Sequence, residues 1–209
     1  MPLVYLIYRC PRCGHDPMAG EKDRAVCPGC GVQYSRGGKG GLIRVQDSSG
    51  GSWDVPGHRL TAAMDAWREK EGSRSGSPDT PIRRAGVEVR QSGPESPVEW
   101  GGELLGFAEA MGESVPGVLE LTEEAVVFRP GLHETAGPAQ TWFLLEIRAL
   151  QTSSSSVQFS PLKGGLVQFR FLNDSPFRWE SLLREGLRRV YLSEGLGEIV
   201  EFQPRIIVE

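Results

Sequence analysis

Residues 10–30 read CPRCGHDPMAGEKDRAVCPGC, and they hold every cysteine of a 209-residue chain. Two residues lie between Cys10 and Cys13 and two between Cys27 and Cys30, with thirteen between the pairs. Each pair has Pro after its first Cys (Pro11, Pro28) and Gly after its second (Gly14, Gly31). Two intervening residues let two thiolates reach one ion from a single tight turn. Gly after the second Cys accepts the backbone angles of that turn and frees amides to point at sulfur. Two such turns complete a tetrahedral shell of four sulfurs, a donor set that suits Zn²⁺. The expectation is one zinc ion on Cys10, Cys13, Cys27 and Cys30. Four thiolates close the shell and leave no position for substrate, so the expected zinc is structural and no catalytic residue is assigned. Disulfides are disfavoured, because the chain shows no secretion signal and paired Cys-x-x-Cys in a reducing compartment favours metal. A thioredoxin-like site would use one pair at a helix start. His15 beside the first pair reads as an exposed turn residue.

The repeated Cys-Pro-x-Cys-Gly pattern resembles the paired knuckles of a zinc ribbon. The gap between pairs is short for that pattern, which predicts a small hairpin between the knuckles. Such ribbons often bind nucleic acid or protein. From Met1 to Gly50 there are seven basic and four acidic residues, so four thiolates and one Zn²⁺ leave only about +1, a weak electrostatic footprint. The whole chain carries −4 with a pI near 5.5, which opposes nucleic-acid binding because that needs a cationic surplus. A protein partner of unknown identity is expected instead. Arg36 and Lys39 in the loop SRGGKGG read as solvated. The excess of Arg over Lys fits a GC-rich bacterial genome.

The apolar run Leu3–Tyr8 is too short to span a bilayer and reads as a strand leading into the first cysteine pair. No later segment is long and apolar enough to span, so the expected location is cytoplasmic, at most peripheral to a membrane. Residues 1–47 form the expected zinc ribbon. DSSGGS (Asp47–Ser52) reads as a flexible break. In GHRLTAAMDAWREKEG, Leu60, Met64 and Trp67 fall at helical spacing and Gly72 closes the helix, with the Trp67 face expected to pack on a neighbouring domain. Residues 48–81 are therefore a linker carrying one amphipathic helix, ending in the Ser/Gly/Pro-rich stretch GSRSGSPDTP.

From Ile82 to Glu209 the pattern is β-rich. RRAGVEVRQSG alternates with period two, and Leu104–Glu113 reads as a strand. GVLELTEEAVVFRPG gives strand, turn at Thr122–Glu124, strand. TWFLLEIRALQT and VQFSPLKGGLVQFRF add more, the latter with Lys163-Gly164-Gly165 at a hairpin tip. After Asn173 the period becomes helical. Ser175 caps, Pro176 suits the first position, and Trp179, Leu182, Leu183, Leu187, Val190 and Tyr191 share one apolar face. Glu180–Arg184 and Glu185–Arg189 are spaced as ion pairs, and Gly195 stops the helix. The fold class is α+β: a small zinc-ribbon domain joined to a β-barrel closed by a C-terminal helix.

Residues Gly117–Pro130 are similar to the second and third strands of GRAM domains, which share the pleckstrin-homology superfold. Phe143–Leu150 looks like the next strand, and Phe169-Arg-Phe171 followed by the Trp179 helix looks like the closing strand and helix. That resemblance implies a PH/GRAM-like barrel and possible contact with phosphoinositides, which uses clustered Lys and Arg. Here Arg83, Arg84 and Arg90 form the one near-cluster. The order of parts also resembles the C-terminal extension of some bacterial lysophospholipid acyltransferases. That family needs His-x4-Asp, but five residues after His15, His58 and His133 stand Gly20, Ala63 and Pro138. No nucleophile elbow, phosphate loop or dinucleotide fingerprint is present. The expected function is a non-catalytic zinc-binding adaptor with a PH/GRAM-like domain, acting with a protein partner, with a membrane surface as a further place of action that the resemblance implies. The alternative is an accessory part of a glycerophospholipid acyltransferase system.

Overall fold

A computed structural model describes residues 2–37, 41–71, 81–93, 96–108, 110–131, 137–153 and 155–196, with backbone alone at 68–71 and 106–108. Lys39, Gly72, His133 and the stretch 72–80 lie outside the described residues. The chain divides into two compact units, residues 1–75 and 76–209.

The first unit opens with a single helical turn, α1 (Leu3–Leu6). A five-stranded antiparallel meander follows: β1 (Ala19–Glu21), β2 (Arg24–Val26), β3 (Gln33–Arg36), β4 (Leu42–Gln46) and β5 (Ser52–Pro56), each beside the next in chain order. The helix α2 (Gly57–Glu71) comes last. The strand expected at Leu3–Tyr8 is this helical turn, in which the Ile7 amide donates to the Leu3 carbonyl at 2.8 Å. Leu3, Ile7 and Tyr8 are the buried positions. That spacing is helical, and a six-residue apolar run is too short for periodicity to separate turn from strand. The expected hairpin between the cysteine pairs is β1–β2, three residues a side.

The stretch expected as a flexible break is an ordered turn joining β4 to β5. The Asp47 carboxylate accepts from the amides of Ser49 at 3.0 Å and Gly51 at 2.8 Å and from the Ser49 hydroxyl at 2.7 Å. Asx side chains of this kind supply the turn with its own hydrogen bonds. The expected linker 48–81 thus contains β5, which pairs with β4, and α2, both inside the first compact unit.

The second unit is a seven-stranded antiparallel sheet. Its strands are β6 (Arg83–Gln91), β9 (Val115–Leu121), β10 (Ala125–Pro130), β11 (Gln140–Phe143), β12 (Ile147–Thr152), β13 (Ser156–Pro161) and β14 (Val167–Phe171), in the order β11-β10-β9-β6-β14-β13-β12. The two outer strands, β11 and β12, are consecutive in the chain and joined by one 3-10 turn, Leu144–Glu146. The sheet therefore curls until its ends nearly meet. A separate hairpin, β7 (Ser96–Trp100) and β8 (Glu103–Ala108), is inserted between β6 and β9.

The helix α3 (Pro176–Ser193) packs against the 3-10 turn, β12 and β13 and closes the barrel, as the sequence led us to expect. Period-two alternation sends Val87, Leu119, Phe159 and Phe169 inward, where they meet Trp179, Leu183 and Leu187 of α3. Trp142 stands edge-on to Phe159 and Phe169, with ring centres 5.5 and 5.7 Å apart. Ser175 caps α3, its hydroxyl accepting from the Arg178 amide at 3.2 Å. Arg184 pairs with Glu180 at 2.9 Å as expected. Arg189 donates to the Glu123 carbonyl at 2.6 Å and so reaches the β9–β10 turn.

Asp174 ties helix to sheet. Its carboxylate receives Arg83 through two nitrogens at 2.7 and 2.9 Å, Arg178 at 3.0 Å, the Trp179 indole at 2.9 Å and the Ser175 amide at 2.8 Å. Burial alone would raise its pKa, but these donors and the two guanidinium charges hold it below the usual carboxylate value.

Candidate metal centre

The two knuckles are built alike. At the first, the Cys10 amide donates to the His15 carbonyl at 2.8 Å and the Gly14 amide to the Cys10 carbonyl at 2.9 Å. At the second, the Cys27 amide donates to Val32 and the Gly31 amide to Cys27, both at 2.9 Å. Gly14 and Gly31 have φ of 77° and 72°, the left-handed conformation that an L side chain resists. The glycine read from the sequence as a turn requirement is thus required at both places. The first thiol of each knuckle (Cys10, Cys27) is buried, and the second (Cys13, Cys30) is partly exposed.

All four sulfurs lie within 4.8 Å of one another. Cys10 Sγ and Cys30 Sγ are 3.7 Å apart, and Cys13 Sγ and Cys27 Sγ are 3.5 Å apart. No pair is bonded as a disulfide. An ion with metal–sulfur bonds of about 2.3 Å has tetrahedral edges of about 3.8 Å, so the set fits one tetrahedral cation. Without a cation, burial pushes the Cys10 thiol up to about 12 and raises Cys13 as well. At Cys27 burial also acts upward, but the Cys30 amide and the Cys13 and Cys10 side chains outweigh it and the pKa falls. Full ionisation of the set therefore depends on the positive charge that a bound ion brings.

The surroundings of the sulfurs are specific. The Cys30 amide donates to Cys27 Sγ at 3.4 Å. The Tyr34 hydroxyl lies 3.8 Å from Cys10 Sγ and is buried. Burial and the adjacent Cys10 raise its pKa, so the phenol stays protonated and acts as a donor. The Trp67 indole of α2 donates to the Pro11 carbonyl at 3.0 Å, and its ring lies so close to Gly14 that a Cβ there would come within 2.8 Å of it. Neither Tyr34 nor Trp67 was assigned to the site from sequence. Tyr34 carried a signal: Val32 and Tyr34 alternate inward from the second knuckle along β3. Trp67 read as a packing face, but nothing local named the first knuckle as its partner, since Cys13 stands 54 positions before it. His15 is exposed and stands outside the thiol cluster, as expected.

Two of the three arginines of the near-cluster are engaged by carboxylates. Arg83 is held by Asp174, and Arg84 sits 3.4 Å from Glu120, which also receives Arg129 at 3.2 Å. Among the described residues no helix is long and apolar enough to cross a membrane.

No family model matches the chain, and no curated protein matches it. Among solved structures, it overlaps the C-terminal domain of an unknown protein from Leishmania infantum at 16% identity and a TM-score of 0.34, covering 52% of this chain and 84% of that one. An overlap that loose carries nothing about function, so the chemistry of the four thiols is the firmest ground the molecule offers.

Proposed function

We propose that this chain is a non-catalytic, zinc-stabilised interaction module. The observation that carries the reading is the closed shell of four sulfurs. Soft thiolates in tetrahedral array favour Zn²⁺, and a site with all four positions taken by protein holds structure instead of activating water. The barrel adds to this: its interior is filled by its own aromatic and branched side chains, so binding falls to its surface. The strand order, the meeting of β11 and β12 and the closing helix support the finer likeness to PH and GRAM domains. A phosphoinositide role gains no support from Arg83 and Arg84, which are already engaged by carboxylates.

The test is turnover and membrane binding by the zinc-loaded chain. With lysophosphatidic acid and an acyl donor we expect no product, and with phosphoinositide vesicles no salt-sensitive sedimentation. Product formation that disappears on His15→Ala, His58→Ala or His133→Ala would overturn the non-catalytic reading. Product formed only after a separate catalytic subunit is added would favour the accessory acyltransferase role.

A further inference from the structure

The β7–β8 hairpin belongs to neither of the larger sheets. Its strands pair with each other and, among the described residues, with no other strand. Every residue from Ser96 to Leu105 is exposed, including Trp100 (79%), Leu105 (65%), Leu104 (56%) and Val98 (42%). Single exposed apolar residues are ordinary, but Val98 and Trp100, two apart on β7, share one face of the hairpin, and Leu104, opposite Glu99, adds an exposed apolar residue to the other.

The arm is built to present that patch. Gly101 and Gly102, with φ of 62° and 85°, form the two-residue turn that a tight hairpin requires, and they place Trp100 at its tip. A bulge between Val98 and Glu99 shifts the register opposite Leu105. The base is fixed by backbone bonds from Gly93 to Ala110 at 2.9 Å and from Gly112 to Gln91 at 2.8 Å. A pre-formed arm loses little freedom on binding.

Charge decides the occupant. The sequence between β6 and β9, residues 92–114, carries five Glu and neither Lys nor Arg. Glu99 faces Leu104 across the hairpin and Glu103 faces Trp100, so carboxylates border the apolar residues on the arm itself. An anionic bilayer or a nucleic acid would repel this surface. A protein that offers an apolar face bordered by Lys and Arg would match it in both respects.

We propose that β7–β8 is a docking arm that packs Trp100, with Val98 beside it on the same face, against an apolar face of a partner protein bordered by Lys and Arg. The proposal rests on the adaptor reading and names the partner class for it. The probes are synthetic amphipathic helices of Leu with Lys, Leu with Gln and Leu with Glu, added to the full zinc-loaded chain. Anionic and zwitterionic vesicles and sedimentation of the chain alone complete the set. The expected result is saturable, salt-weakened binding of the Leu/Lys helix alone, reduced about tenfold or more by Trp100→Ser. Glu99→Gln with Glu103→Gln should weaken it severalfold, while zinc content and melting stay unchanged. If Trp100→Ser disturbs the fold, Val98→Ser serves in its place. Equal binding of the three helices, or binding indifferent to both serine variants, overturns the arm while leaving the adaptor reading in place. Vesicle binding lost on Trp100→Ser assigns the arm to lipid and overturns the proposal, as does a dimer that the same change dissolves.

Discussion

The barrel unit fills its centre with Phe159, Phe169, Trp179 and branched aliphatic side chains, whereas the N-terminal unit fills its centre with sulfur. Short strands of three to five residues and one packed helix give the smaller unit a thin apolar core around Leu3, Ile7, Tyr34, Ile43, Val45 and Met64. Domains of that size bury too little surface to offset the entropy of ordering the chain, and a metal supplies the difference. The barrel's centre is packed with its own side chains, and polar groups register it, as at Asp174. The expectation is that the two units draw on different sources of stability and that each can be removed alone.

The largest expected effect follows removal of the ion. Structural zinc contributes on the order of 10 kcal/mol to small four-ligand domains. Cys27→Ser, or chelation of the wild type, should unfold residues 2–71. Hydrogen exchange should show rapid labelling there and unchanged protection in β9, β14 and α3. Loss of protection in both units together would show that the barrel leans on the metal unit and would break the comparison.

The converse experiment is Asp174→Ala. It leaves the Arg83 and Arg178 guanidinium groups and the Trp179 indole without their shared acceptor. Breaking a buried ion pair by removing one partner costs about 3–5 kcal/mol, so the barrel's thermal midpoint should fall while zinc stoichiometry holds. The pH dependence has a definite sign. The folded pKa of Asp174 is depressed, so its stabilisation is present above the unfolded carboxylate value of about 3.9 and disappears as pH falls through the folded value. Acid titration of the wild type should show barrel stability declining below about pH 4, and Asp174→Asn should flatten that decline.

A smaller change sharpens the metal unit. Gly14→Ala forces a side chain into a left-handed conformation and against the Trp67 ring. We expect a loss of about 1–2 kcal/mol, read as a lower midpoint for the first unit alone. Trp67→Phe removes the hydrogen bond to Pro11 and should cost about 1 kcal/mol. A midpoint unmoved by either change would mean that α2 does not support the knuckle. The barrel has its counterpart in Ser175→Ala, which removes the cap of α3 at about 1 kcal/mol.

Much of this was legible in the sequence wherever one local rule governs. The four thiols, their paired glycines and the short β1–β2 hairpin follow from spacing. The cap at Ser175, the α3 face and the β9–β10 turn follow from position-specific residues and periodicity. The reading failed where long-range packing decides. Leu3–Leu6 forms a helical turn because Leu3, Ile7 and Tyr8 are the positions its unit buries, and an apolar run of that length suits either structure. DSSGGS has a linker's composition, yet Asp47 folds it into a hairpin turn. The contact of Trp67 with the first knuckle joins residues 56 apart at Pro11, which no local pattern marks. Asp174 drew no reading from the sequence, because its partner Arg83 lies 91 positions earlier.

The account stands most directly on the ion itself. Elemental mass spectrometry of protein purified without added metal, paired with thiol titration before and after denaturation, measures it in one experiment. One zinc per chain is expected, with the four thiols protected until the ion is released. Less than about a tenth of an equivalent of zinc, with all four thiols titrating in the folded protein, would contradict it, as would a full equivalent of another metal.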